Sequence, residues 1–560
     1  MQNTSVYQHI KNFVRQGIID GVLISRTDIF LGEYYPPYVK RLDSVSGFTG
    51  SAGLALITAD KDILFVDSRY TIQAKNQSDF LVYEVPSETT PSAWLCDNMP
   101  NKTIGFNPQT HSLDWVNRMT ERLQEKNIRL SPLPMTTMTD FFGSDKFQQM
   151  DIFDYDIAFC GETSESKLNR LSEHISRNHW DAYIITQPEN VSWLLNKRAK
   201  TVTEYPVIFQ KAFVDPNGQL TYLNNDTFPQ LKGKKVAFDS ATTSFDLAQT
   251  LKQTATVENA PDIVNFWKAC KNQTEIQNIK QACLYESAVI CRFLAWIEKN
   301  KSTADEITCD EKLIALRQEN PLYIGDSFET IAAVGGHAAL AHYRANNESN
   351  VPLTSAPLLL VDTGGHCLNG TTDMTRTIAV GEPSPLMKKR YTQVLQGHID
   401  LALCTLKNTD KAGILDTKAH AYLRKDNVDY YHSTGHGIGL MLAVHEMPPI
   451  IHEKDTLGIK AGMIFSNEPA FYSEEESFGI RLENMLLSVQ KNEQELAFEN
   501  LLFIPFDYRL INFDQLTNEQ IKWLKDYHQR IYDDIFPMLS KDEQAVLTPF
   551  IKAFGVNIQD

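Results

Sequence analysis

The stretch Pro357-Leu-Leu-Leu-Val-Asp362-Thr-Gly-Gly-His-Cys-Leu-Asn-Gly-Thr-Thr-Asp373-Met-Thr-Arg-Thr-Ile-Ala379 reads as two strands folded back on one another. Residues 357–362 form an apolar run of strand length that ends in a carboxylate. Gly364-Gly365 and Asn369-Gly370 are turn pairs, and Thr371–Ala379 leaves as a second strand. Such a hairpin brings Asp362 and Asp373 side by side. Two ionised aspartates held that close repel each other, and a dication between them removes the cost. Taken singly, each Asp also reads as an ordinary turn or cap residue.

Downstream lies His432-Ser-Thr-Gly-His436-Gly-Ile-Gly-Leu440. Two histidines four residues apart would share one face of a helix. Gly435, Gly437 and Gly439 argue against a helix and for an extended or turn segment, so the two rings need not bind one ion. Val444-His445-Glu446 follows, which puts three of the chain's 14 histidines within fourteen residues. Imidazole serves both as metal ligand and as proton carrier near neutral pH, although each ring taken alone also has a structural reading. Gly462–Pro469 and Phe478–Asn484 each read as a strand with an embedded carboxylate, Glu468 and Glu483. An apolar strand tolerates an ionised Glu when it is paired or metal-bound, and Arg481 offers a partner for one of them. A carboxylate-rich site with one imidazole favours oxygen-loving divalent ions such as Mn²⁺ or Co²⁺, with Zn²⁺ also compatible.

Outward from this region the chain repeats itself. Gly21–Ser25, Gly53–Thr58 and Asp62–Val66 are short apolar runs of strand length. Between the first two lies the glycine-rich Val45-Ser-Gly-Phe-Thr-Gly-Ser-Ala-Gly53, which matches no phosphate-binding loop and reads as a tight strand connection. A similar grammar restarts with an amphipathic helix over 167–178, then Asp181–Thr186, Asn190-Val-Ser-Trp-Leu-Leu195, Val207-Ile-Phe209 and Gln219–Leu223. Two related α/β domains in tandem are expected, joined in the polar stretch around 161–167. Asn272 and Glu275 have capping-box spacing, and Ile276, Ile279, Cys283, Ile290, Leu294 and Ile297 form a helical stripe behind them. The tail from Leu516 to Phe554 reads as helical.

Bulk properties narrow the function. With 560 residues the chain is long enough for several domains. Its net charge of −17 repels phosphate backbones and argues against nucleic-acid binding. The first twenty residues lack the apolar core of a secretory signal, and no segment approaches the roughly 18 apolar residues needed to span a bilayer. The eight cysteines are scattered, without a C-x-x-C pair, as expected of free thiols in a reducing compartment.

Taken together, VDTGGHCLNGTTDMTRT, HSTGHGIG, VHE, SNEP and GIRLEN resemble, in order, the motifs of the pita-bread metallopeptidases, which include methionine aminopeptidases, prolidases and Xaa-Pro aminopeptidases. VSGFTGSAG, VDSRYTIQA, NVSWLLN and the C-terminal LLFIPFDYRLINFDQLTNEQIKWLKDYH further resemble the three-domain, cytosolic-type Xaa-Pro aminopeptidases. The resemblance covers nearly the whole chain and is weakest between about 75 and 165. It implies a mixed α/β and α+β architecture: creatinase-like α/β domains over 1–160 and 161–262, a pita-bread catalytic domain over 263–507, and a helical extension over 508–560.

It also implies roles. Asp362, Asp373, His436, Glu468 and Glu483 match the family's five ligands to two divalent ions, Mn²⁺ first, with Co²⁺ or Zn²⁺ as alternatives. Asp373 and Glu483 bridge the two ions, Asp362 binds one, and His436 and Glu468 complete the other. His342, His432 and His445 match the family's non-ligand histidines, with catalytic and substrate-binding roles, and Glu468 doubles as a proton carrier. Arg69 matches an arginine that reaches a partner subunit's site in relatives. The implied reaction is release of the N-terminal residue from peptides with proline second, by a hydroxide bridging the metals, in a cytoplasmic homodimer. Ser433 and Ala470 stand where relatives usually carry glycine, and the Glu474-Glu475-Glu476 loop is slightly long, which bears on substrate preference. A prolidase shares the metal chemistry, and a non-catalytic binding module shares the fold. The two preceding α/β domains and the extension favour the aminopeptidase over the former, and the intact ligand set favours an enzyme over the latter.

Overall fold

The structure, a computed structural model, describes residues 4–34, 40–143, 150–455 and 457–558; the outermost ends of the expected first and last domains lie outside them. The chain forms two compact units. One comprises residues 1–154, 162–202 and 207–264, and the other 155–161, 203–206 and 265–560.

In the first unit, Gly21–Ser25 (β1), Leu54–Thr58 (β2), Asp62–Asp67 (β3), Leu81–Val85 (β4), Thr103–Phe106 (β5) and Arg129–Pro132 (β6) build a six-stranded sheet ordered β4-β3-β2-β1-β5-β6. β1 is buried at every position, as expected of a central strand covered on both faces. A second, five-stranded sheet comprises Ala182–Ile185 (β7), Ala212–Val214 (β8), Leu220–Tyr222 (β9), Lys235–Phe238 (β10) and Thr256–Asn259 (β11), ordered β9-β8-β7-β10-β11. Its pairing repeats that of the first. β7 is antiparallel to β8 and parallel to β10, just as β1 is antiparallel to β2 and parallel to β5. This repetition is the structural form of the tandem pattern in the sequence.

The two sheets' domains also meet through equivalent positions. Ser112 and Ser244 each cap a helix N-terminus, and the two residues bridge one another, with Leu113 N–H donating to Thr243 O and Phe245 N–H donating to His111 O, both at 2.9 Å. Three local expectations change. Val45 and Ser46 belong to a helix, Arg41–Ser46, closed by Gly47 at φ 77°, so the glycine-rich segment runs from helix to strand. Asn190–Leu195 lies within a helix, Pro188–Leu195. Val207–Phe209 carries no strand, which starts at Ala212.

The second unit opens on the helix Gln273–Asn300, whose Asn272–Glu275 capping box is present in full. Ile279, Cys283, Ile290, Leu294 and Ile297 of its stripe are buried. Ile331–Val334 (β12), Leu358–Thr363 (β13) and Met374–Ala379 (β14) form a three-stranded sheet centred on β13. Leu406–Lys407 (β15), Gly435–Gly437 (β16), Glu446–Ile451 (β17), Ile464–Asn467 (β18), Asn484–Asn492 (β21) and Glu495–Asn500 (β22) form a six-stranded sheet ordered β15-β22-β21-β18-β16-β17. Ala470–Ser473 (β19) and Phe478–Arg481 (β20) pair separately. The tail is helical, over Asn518–Arg530 and Lys541–Lys552. Among the described residues no helix is long and apolar enough to cross a membrane, and all eight cysteines are free thiols.

Candidate metal centre

The hairpin read from the sequence sets the first two carboxylates. β13 and β14 are antiparallel with Asp362 opposite Thr375 and Thr363 opposite Met374. Asp373 stands immediately before β14, one step past the paired register. Gly364 makes the turn possible: a Cβ there would lie 2.0 Å from Thr372 O.

The glycines around His436 act in the same way. β16 is an extended segment squeezed between neighbours, and a Cβ on Gly435 would meet Ser466 O at 1.9 Å and one on Gly437 would meet Glu446 O at 2.5 Å. The extended conformation expected from Gly435, Gly437 and Gly439 is therefore the observed one. His436 is anchored through its backbone N–H, which donates to Ser466 Oγ at 3.0 Å. Its Nδ1 lies 3.0 Å from Gly437 O. With the Nδ1 proton on that carbonyl, Nε2 presents its lone pair to the acids, 3.5 Å from Asp373 Oδ2 and 3.3 Å from Glu468 Oε1. One donor atom each of Asp373, His436 and Glu483 falls within 4.8 Å of the others.

Both glutamates lie just outside strands rather than within them. Glu468 follows the last residue of β18, and Glu483 sits between β20 and β21. A strand end frees the carboxylate from the alternation of a strand face. Ser466 Oγ donates to Glu468 Oε1 at 3.0 Å, and Thr375 Oγ1 donates to Glu483 Oε2 at 2.7 Å. Arg481 pairs with neither glutamate directly. Its guanidinium donates to Asp362 Oδ2, to Tyr472 Oη at 2.5 Å, to Thr375 Oγ1 at 3.1 Å and to Ala341 O at 3.3 Å.

The carboxylates of Asp362, Asp373, Glu468 and Glu483 act on one another electrostatically, at a cost. Burial raises Asp373 well above the usual carboxylate range, and Asp362 and Glu468 push it further. Glu483 is raised in the same way by burial, then by Asp373, Glu468 and Asp362. Glu468 is pushed up to about 7 by burial, with Arg481 holding it down and Asp362 adding to the rise. Oδ1 of Asp362 is buried without a hydrogen-bond partner, a position that favours occupation by a cation. The unpaired Asp362 oxygen, the approach of His436 Nε2 to Asp373 and Glu468, and the crowding of acids together fit a pair of hard divalent cations.

The remaining expected residues lie as follows. The rings of His445 and His436 pack edge to face, centroids 4.3 Å apart. His432 Nε2 lies 3.1 Å from Tyr472 Oη, which ties it to the arginine on Asp362. His342 follows Ala341, whose carbonyl accepts from Arg481. Arg69 belongs to the first unit, where Asp67 holds its guanidinium in a fork at 2.9 and 2.7 Å. Sequence reasoning missed the supports. Tyr472 and Ser466 left no signal, whereas Thr375 and Arg376 stood within the TDMTRT string without a role.

Comparison with known proteins gives the context. The sequence profile of metallopeptidase family M24 matches residues 277–489, and that of its C-terminal region matches 494–548. Two creatinase/prolidase N-terminal domain profiles match 8–136 and 145–231. Xaa-Pro aminopeptidase 2 of Sus scrofa is 30% identical over 569 residues, covering 93% of this chain and 84% of that protein. The chain belongs to the Xaa-Pro aminopeptidase group of metallopeptidase family M24. Xaa-Pro aminopeptidase 1 of Dictyostelium discoideum is 28% identical over 95% of this chain and 93% of its own. Among solved structures, the X-prolyl aminopeptidase of Caenorhabditis elegans, described as a cytosolic enzyme with a di-nuclear active site, superposes with a TM-score of 0.90 at 26% identity over 99% of both chains. The architecture of this M24 peptidase is thus two creatinase-type α/β domains followed by a pita-bread catalytic domain, and the protein is an enzyme of the metallopeptidase class.

Proposed function

We propose that this M24 peptidase releases the N-terminal residue from peptides whose second residue is proline. The observation that carries the hydrolytic part is the convergence of His436 Nε2 with the carboxylates of Asp373 and Glu468, beside the unpartnered oxygen of Asp362. The preference for proline at position two is supported by the full-length likeness to Xaa-Pro aminopeptidases.

Asp362, Asp373, His436, Glu468 and Glu483 are the residues that would hold two divalent cations. Mn²⁺ suits their donor set, with Co²⁺ or Zn²⁺ as alternatives. When bound, such a pair would supply Lewis acidity and make a water-derived nucleophile available at neutral pH, the pKa of water falling from about 15.7 toward 7. The chain's own groups do the rest. His445, stacked edge-on against His436, donates a hydrogen bond to the scissile carbonyl as charge develops on it, a contribution of about 3–4 kcal/mol for donors of this kind. Glu468 carries a proton to the departing proline nitrogen, which bears no hydrogen in the peptide bond. His342 and His432 line the slot for the ring, with His432 oriented by Tyr472. Arg69 contacts substrate across a homodimer in this scheme, and the working compartment is the cytosol, as described for the nematode relative.

The test is hydrolysis of Arg-Pro-Pro and Arg-Pro by chelator-treated protein with and without added Mn²⁺. Release of Arg from the tripeptide on metal addition, with little cleavage of the dipeptide, is expected. Preference for the dipeptide would make the protein a prolidase, and equal activity without metal would remove the metal centre from the mechanism.

A further inference from the structure

The C-terminal helix Asn518–Arg530 reaches the strands that follow Asp373 and Glu483 through Tyr527, which meets the buried Arg376 and Asn484. Arg376, in β14 three residues after Asp373, is only 1% exposed. Its Nη1 donates to Glu483 O at 2.6 Å and to Thr375 O at 2.8 Å. Its Nη2 donates to Asn484 Oδ1 at 2.8 Å, to Ile504 O at 3.0 Å and to Tyr527 Oη at 3.1 Å. The guanidinium lies over the Phe506 ring, 4.5 Å from its centroid. Carbonyls, an amide, a hydroxyl and a ring thus receive the cation, with no ion pair among the described residues. Such a buried charge needs every one of these partners in place.

Glu483 is consequently fixed at three points. Its N–H donates to Thr375 O at 3.0 Å, its carbonyl accepts from Arg376, and its Oε2 accepts from Thr375 Oγ1. Tyr527 closes the arrangement from the extension. Its hydroxyl accepts from Arg376 and from Ile504 N–H at 2.9 Å, donates to Leu502 O at 3.0 Å, and lies within 3.3 Å of Asn484 Nδ2. The ring is held flat against Trp523, centroids 5.0 Å apart.

We propose that Tyr527 is a positioning residue for the metal centre. Through Arg376 and Asn484 its hydroxyl fixes the spacing of Asp373 and Glu483, so the C-terminal extension sets how tightly the site holds its ions. The proposal rests on the metal-centre assignment above. Groups that orient ligands from behind typically change metal affinity by about 10–100-fold when removed.

Tyr527→Phe tests it, because the ring and its stacking remain and only the hydroxyl goes. Mn²⁺ is titrated calorimetrically into chelator-stripped full-length protein, and the thermal midpoint of the stripped protein is measured alongside. Leu547→Ala, a buried position in the extension's second helix, controls for general weakening. Tyr527→Phe is expected to weaken Mn²⁺ binding about tenfold and to lower kcat on Arg-Pro-Pro with KM nearly constant. Leu547→Ala is expected to lose thermal stability yet bind Mn²⁺ as the wild type does. Wild-type Mn²⁺ affinity in Tyr527→Phe, or an equal loss of affinity in Leu547→Ala, would overturn the positioning role. Failure of the wild-type protein itself to bind Mn²⁺ would overturn the metal-centre assignment, and the proposal with it.

Discussion

Arg481 donates from Nη2 to Oδ2 of Asp362, 119 residues earlier in the chain, and both side chains are almost closed to solvent. This guanidinium places a positive charge in direct contact with Asp362, and Arg481 and His445 both oppose the rise that burial imposes on the pKa values of Asp373 and Glu468. Removing one member of a buried pair costs about 3–5 kcal/mol. Bound cations would take over part of that neutralisation. Arg481→Gln is therefore expected to lower the thermal midpoint of chelator-treated protein by about 6 °C or more, and that of Mn²⁺-loaded protein by about half as much. Calorimetry of both forms checks this, and an equal loss in both would detach Arg481 from the site's charge balance.

The acids predict a pH effect of definite sign. Glu468 is pushed up to about 7 in the folded protein, from an ordinary value of 4.5, mainly by burial, and Asp373 and Glu483 move the same way. A carboxylate with a raised folded pKa stabilises the fold below its unfolded pKa, and that stability is lost as pH rises through the folded value. Chelator-treated protein should therefore lose stability, relative to the Mn²⁺-loaded form, between about pH 5 and pH 8. Mn²⁺ binding at pH 7 must also release protons. Titrations in buffers of different ionisation enthalpy measure that release, and buffer-independent heats would contradict it.

The ligands and the histidine beside them should separate in their effects. His436→Ala and Glu483→Ala are expected to abolish turnover together with metal binding. His445→Ala is expected to lower kcat by about 100-fold or more with metal content unchanged. Elemental analysis alongside kinetics distinguishes these outcomes, and full kcat in the His445 variant would end its assigned role.

Gly435 offers a steric test. A Cβ there would stand 1.9 Å from the backbone oxygen of Ser466 and 2.8 Å from its carbonyl carbon, so backbone rather than the end of a side chain would have to yield. Gly435→Ala should separate β16 from β18, costing about 1–3 kcal/mol or more, and should displace His436 from the acids. Loss of bound Mn²⁺ in protein that still folds is the expected result, and wild-type metal content would show that the close approach is dispensable.

These features differ in how far they could be read from sequence. The Asn272–Glu275 cap, the hairpin whose first strand ends just past Asp362 and whose second begins just after Asp373, and the extended run at Gly435–Gly437 are local, governed by residues close to one another in the chain. The tandem α/β pattern was legible because strand spacing repeats, and the repeat reappears as identical pairing of β1 with β2 and β5, and of β7 with β8 and β10. The choice of Asp362 as Arg481's partner was not legible. Two glutamates lay nearer in sequence, and the docking of Arg481 on β14 through Thr375 and Thr377, beside β13, brings it to Asp362 instead. The helix at 188–195 was hidden for a related reason: Val191, Trp193 and Leu194 are buried, and a short apolar run looks alike in a buried strand and a buried helix. Arg376 was visible within TDMTRT, but its contacts with Glu483, Ile504 and Tyr527 span more than a hundred residues.

In the proposed metal centre, five side chains from separate strands and strand ends hold two divalent ions. Anomalous X-ray scattering at the manganese edge, from crystals of the protein soaked in Mn²⁺, would locate them and so test that arrangement. Two peaks about 3.5–4 Å apart, enclosed by Asp362, Asp373, His436, Glu468 and Glu483, are expected. Absence of manganese from that cluster in protein that hydrolyses Arg-Pro-Pro would contradict it.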